Sequence, residues 1–249
     1  MKQVLYGSLY LAILVGVGAL AYGRFITSTA RCVNDRIDKG EEGIDCGGIC
    51  ANACIPSDVR TIELIDNVRM FHASPRTLEM MARIQNANSD FAAKSFRYRF
   101  DVKGSDGTVV DTVYGESFIY AGEVKYLVVV KTNVAYTPAT ADLTIESPDW
   151  IGSGEYKRPS LSGVQDQRVE TTANTISVSG KATNKDVVRV AALRATALFY
   201  DDLGIPVGVS ETEIGSIGPE ETAEFTILHP AIPNASLSRT QVILTAARP

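Results

Sequence analysis

The sequence predicts an all-β protein of two tandem β-sandwich domains, carried behind an apolar N-terminal helix and a small disulfide-rich module. Three observations predict it. Apolar residues alternate with period two beyond residue 54, turn signals recur between short strands, and the second half repeats the first. At 249 residues, 45% hydrophobic and 21% charged, the chain is long enough to bury two separate cores.

From Val4 to Phe25 the chain reads VLYGSLYLAILVGVGALAYGRF, with no charge between Lys2 and Arg24. As a helix rising about 1.5 Å per residue this run reaches roughly 30 Å, the thickness of a bilayer's hydrocarbon core. Tyr6, Tyr10 and Tyr22 lie toward its ends, where amphipathic rings are favoured. The expectation is an uncleaved single-pass anchor over residues 1–26, with the lipid bilayer as partner of residues 4–25. A cleaved signal peptide is the competing reading, because Ala19-Leu20-Ala21 imitates a cleavage site. Against it, the run exceeds the ~7 to 15 residues of a signal's apolar core, and Lys2 with the amino terminus is a thin basic flank.

All four cysteines fall between Cys32 and Cys54, spaced C-x13-C-x3-C-x3-C. Their confinement fits disulfides formed in an oxidising compartment, which puts the C-terminal bulk outside the cytoplasm at the cell membrane. Four cysteines allow three connectivities, and the spacing does not choose among them. Gly40, Gly43, Gly47 and Gly48 suit tight turns in a module, residues 32–54, too short to bury a core of its own. Asp35, Asp38, Glu41 and Asp45 offer oxygens that could converge on calcium, while EF-hand spacing and a zinc pattern are both absent. The run from Asp38 to Gly48, DKGEEGIDCGG, followed by Cys50 and Cys54, resembles the short DCGG cysteine modules of surface and secreted proteins.

The clearest strand is Ser95–Val102, where Phe96, Tyr98, Phe100 and Val102 share one face and Arg97, Arg99 and Asp101 the solvent face. An Asp106-Gly107 turn then returns the chain as a hairpin through Val109–Tyr114. Ala121-Gly122-Glu123 precedes an apolar strand over Val124–Val130. Further strands are expected over Glu63–Phe71, Leu78–Gln85 and Ala141–Glu146. Sliding the chain by 97 lays Phe96 on Leu193, Gly107 on Gly204 and Glu123 on Glu220, and a slide of 98 lays Ile84-Gln85-Asn86 on Ala182-Thr183-Asn184. Two related domains follow, over 59–150 and 160–249. Trp150 closes the first, and the Gly/Ser stretch Gly152–Pro159 links them.

In the second half, Ala197-Leu198-Phe199-Tyr200-Asp201, followed by Gly204, Pro206-Val207-Gly208 and Gly218-Pro219-Glu220-Glu221, resembles the FxLYD type of surface domain. The first half is similar through Phe100-Asp101, Asp106-Gly107 and Ala121-Gly122-Glu123. The resemblance implies an immunoglobulin-like sandwich in each half and carries no activity of its own.

A net charge of -5 and a pI near 5.2, without a cluster of Lys and Arg, argue against nucleic acid as a partner. The only histidines, His72 and His229, are read as surface or loop residues. No G-x-S-x-G, H-E-x-x-H or P-loop is present, and Asp201-Asp202 and Glu220-Glu221 sit at expected turns. The chain is therefore read as non-catalytic and, calcium aside, without a cofactor. The expected role is that of a membrane-anchored extracytoplasmic structural or binding protein of the cell envelope, its partner an unidentified envelope protein or surface ligand. The alternative is an accessory subunit of a membrane secretion or pilus-like assembly.

Overall fold

A computed structural model describes residues 2–25 and 32–249. The chain divides into two compact units, one ending at Pro56 and the other spanning Ser57–Pro249.

The first unit opens with α1 (Lys2–Phe25), a helix of 24 residues. Its described side chains, those of residues 6–8 and 10–20, are exposed. Among the described residues no helix is long and apolar enough to cross a membrane. The side chains at both ends of the apolar run lie outside that description, so the span is a reading of the sequence. Beyond it, residues 32–56 form turns held by two disulfides.

The second unit is all-β. Its first half contains β1 (Glu63–Leu64), β2 (Arg69–Ser74), β3 (Thr77–Gln85), β4 (Phe91–Lys103), β5 (Val109–Ile119), β6 (Val124–Thr132) and β7 (Thr140–Gly152). All pairings are antiparallel: β3 lies between β6 and the β1/β2 edge, and β4 lies between β5 and β7. The expected strand over Glu63–Phe71 is broken. Residues 66–68 leave the ladder, and Asp66 there holds Arg83 of β3 at 2.9 Å. The Asp106-Gly107 hairpin forms as read, with Gly107 at φ 80° and the Asp106 carboxylate accepting the Thr108 N–H. Val124–Val130 lies within β6, which joins β3 rather than continuing beside β5. Phe96, Tyr98, Phe100 and Val102 all face inward, packed on Leu78, Met80 and Ile84. On the opposite face Arg99 is paired with Asp101 at 3.0 Å and Glu146 at 2.6 Å.

The second half repeats this pairing with β8 (Gln165–Thr171), β9 (Thr175–Thr183), β10 (Val190–Tyr200), β11 (Pro206–Ile217), β12 (Thr222–Pro230) and β13 (Gln241–Ala247). Here β9 lies between β8 and β12, and β10 between β11 and β13. The repeat extends to its buried polar corner. The Asn86 carboxamide donates to the carbonyls of Phe91 and Tyr120 at 2.7 and 3.1 Å, while the Glu123 carboxylate accepts the Tyr120 N–H. The Asn184 carboxamide donates to the carbonyls of Val188, Ile217 and Gly218, and the Glu221 carboxylate accepts the Gly218 N–H. Glu123 thus corresponds to Glu221, not to Glu220 as the slide of 97 suggests. Glu220 instead takes the positive φ, 56°, that Gly122 takes at 65°.

The two halves do not hang apart on a linker. The outward face of β3 and β6 packs on the outward face of β10 and β11, joining Met81, Tyr126 and Val128 to Leu198, Val209 and Ile243 in a shared apolar layer. Strands β3 and β10 are consequently covered on both faces, which is why each reads as a near-continuous buried run.

Each corner asparagine satisfies carbonyls that water cannot reach. Asn184→Ala is expected to cost about 2 to 3 kcal/mol by leaving buried acceptors unpaired, read as a lower urea midpoint with an unchanged slope. A loss within about 0.5 kcal/mol, the range of an ordinary surface change, would show the corner to be dispensable.

Candidate functional site

The residues singled out as a metal site lie in the cysteine module. Cys32 is bonded to Cys50 and Cys46 to Cys54, which selects one of the three connectivities. The second bridge clamps a turn in which Glu42 and Gly43 donate backbone N–H groups to the Cys46 carbonyl. At Gly48, with φ 59°, a Cβ would stand 1.9 Å from the Gly40 carbonyl oxygen, so only glycine fits that crossing.

Three of the four carboxylates are spent on the loop itself. Asp45 accepts the backbone N–H groups of Asn34 and Asp35 at 2.9 and 2.7 Å. Glu41 accepts the Asp38 N–H at 2.8 Å, and Asp38 accepts the Asn34 carboxamide at 2.9 Å. Among the described residues, one set of metal-type ligand atoms converges: Cys32, Glu41 and Cys50, within 4.8 Å of one another. Its two sulfurs are consumed in a disulfide, which leaves Glu41 as the one ligand of that set. Asp35, Asp38 and Asp45 are not brought to it. In this geometry Glu41 and Asp45 act as caps on turn N–H groups.

The most heavily buried ionic contact lies elsewhere, between the two halves of the β unit. Glu79 on β3 and His229 on β12 meet with Nε2 2.8 Å from Oε1, their side chains 3% and 2% exposed. The contact is close but off the hydrogen-bond axis, hence chiefly ionic. Oε2 of Glu79 accepts the Val209 N–H at 3.1 Å, and Nδ1 of His229 lies 2.5 Å from the Pro230 carbonyl oxygen, with Phe199 packed beside the ring. Both ring nitrogens therefore have an oxygen at close range, an arrangement that suits an imidazolium. Burial alone pushes His229 down. The contact with Glu79, its charge and the Pro230 carbonyl overcome that and raise the group above its ordinary value.

His229 is thus neither a surface nor a loop residue, which corrects the sequence reading. The missed signal is the alternation Phe225, Ile227, His229 on the buried face of β12. His72 is exposed on β2, as read.

A second polar cluster flanks the same junction. The Tyr120 ring stacks on Tyr156 at 4.9 Å, and its hydroxyl donates to the Ala246 carbonyl at 2.9 Å while accepting the Arg248 N–H at 3.1 Å. Nearby, Lys125 donates to the Phe118 carbonyl and lies over that ring. Its burial pushes it down to about 8. Neither cluster sets a nucleophile against a base in an open cleft.

No protein-family model matches the chain, and no curated protein does. Among solved structures, red sea bream transglutaminase is similar at 9% identity with a TM-score of 0.24, over 74% of this chain and 32% of that one. The chain therefore spans about a third of that structure, and a likeness this slight carries no argument.

Because His229 is raised in the fold, its contribution is fully present below its unfolded value, near 6.5, and fades as pH rises through the folded value. Lys125 acts in the opposite sense, adding stability from about 8 upward. Glu79→Gln is expected to remove the decline that begins above about 6.5 in a pH series of melting temperatures, leaving the Lys125 rise in place. An unchanged profile would show the pair to be silent.

In the cysteine module a chelator is expected to leave melting unchanged, whereas a reductant loosens residues 32–54 alone, as read by limited proteolysis. A calcium-dependent shift would overturn the capping account.

Proposed function

We propose that this chain is a membrane-anchored, extracytoplasmic, non-catalytic protein of the cell envelope, held by residues 4–25 and presenting its β-rich part as a structural or binding element. The observation that carries the reading is the pair of disulfides directly after the uncharged N-terminal run. Cross-links in so small a module persist in an oxidising compartment and are rare in the cytosol. Each is worth roughly 2 to 4 kcal/mol by restricting the unfolded chain, enough to order a segment without a core.

Each half of the β unit is read as an immunoglobulin-like sandwich. Two antiparallel sheets in each half, of four and three strands in the first and of three and three in the second, with hairpins within a sheet alternating with crossings between sheets, support that reading. The buried Asn86, Glu123 and Asn184 are engaged in the corners and Glu79 and His229 in the joint between halves, which favours a scaffold over a reaction site. Protease added to intact cells is expected to digest the β-rich unit while α1 stays with the membrane. Protection that persists until the cytoplasm is opened would reverse the topology.

A further inference from the structure

The geometry points to a strand-accepting cleft along the free edge of β13, and we propose that it binds a single extended peptide segment of a partner protein by backbone pairing. This names a partner class for the binding reading above and rests on that reading for location only.

Strand β13 pairs with β10 on one side. On the other, Thr240 O accepts from the Gln167 carboxamide at 3.2 Å, and Ala246 O and the Arg248 N–H both meet the Tyr120 hydroxyl. Backbone groups of alternate residues point to the same edge of a strand. Those of Val242 and Leu244, between these capped ends, therefore also point away from β10. Among the described residues no hydrogen bond reaches them from that side. The edge faces a cleft of about 400 Å³ in which Val242 through Ala246 all line one wall, as happens when a strand presents its edge rather than a face. Residues 158–164 form the opposite wall, including Leu161, Gly163 and Val164.

The edge is also undefended. Its counterpart β7 carries Asp142, Glu146, Asp149 and Pro148 and a break in register near Ser147, where φ is 49°. Such features block strand addition. The β13 sequence QVILTAA has no charge and no proline.

Unpaired backbone donors and acceptors call for another backbone, which fixes the occupant as a β-strand. A second copy would have to bring the flank of a whole folded sheet past the wall at 158–164, whereas a single extended segment carries no such bulk, so the occupant is taken as one segment of a partner. Leu161 and Val164 across the cleft suit alternate apolar side chains on that segment.

The test uses the purified chain in detergent and a blocked hexapeptide of alternating threonine and valine, with binding read by fluorescence anisotropy. Saturable binding is expected, with slowed amide exchange at Val242 and Leu244. The same peptide N-methylated at alternate residues should bind on the order of tenfold more weakly, because it lacks the pairing N–H groups. Gly163→Trp should weaken binding similarly; a Cβ at Gly163 meets nothing within 4 Å, so the variant fills the cleft without disturbing the fold. No binding, equal binding of the N-methylated peptide, or protection of the edge by self-association in sedimentation would each overturn the proposal. Because no membrane topology enters the measurement, its failure leaves the anchored reading to the protease experiment.

Discussion

The β unit depends on burying the outward face of one sheet against the outward face of another. Sheets that meet solvent on one side alternate apolar and polar residues, but β3 and β10 give up that alternation because each serves a core on one face and the joint on the other. Met81, Leu198 and Val209 supply the apolar part of the joint. Glu79 and His229 supply its charged part, and that part is demanding. A buried pair adds little net stability against a well-packed apolar alternative, yet losing one member leaves an uncompensated charge costing about 3 to 5 kcal/mol. The joint is thus better understood as selecting one stacking of the halves than as strengthening it.

Much of the architecture was legible in the sequence because it rests on local chemistry. The period-two run at Ser95–Val102, the Asp106-Gly107 turn and the repeat near 97 residues each report a backbone requirement that a single chain displays. The packing of the halves was not legible. A glutamate within LEMMARI and a histidine before a proline look like solvent-facing residues until a partner 150 residues away is placed beside them. The broken edge at residues 66–68 escaped for a related reason, since Asp66 leaves the ladder to meet Arg83 on a neighbouring strand.

The cysteine module shows the opposite case, where composition suggested more chemistry than geometry provides. Acidic residues at close spacing satisfy the composition of a calcium loop, but ligation requires their oxygens to point at one centre. Asp45 and Glu41 turn theirs toward neighbouring N–H groups instead. A loop with positive φ at Asp35, Gly40, Asp45, Gly47 and Gly48 has many exposed donors to satisfy, and short carboxylate side chains are the nearest acceptors.

The doubled burial of β3 and β10 also bears on how such a chain can change over time. Two repeats joined only by a linker can be lost, shuffled or multiplied singly, because each brings its own solubility. Here a solitary half would bare Met81 and Glu79, or Leu198 and His229, to water. The repeat therefore behaves as one indivisible object, from which neither half can be withdrawn without baring the layer that joins them.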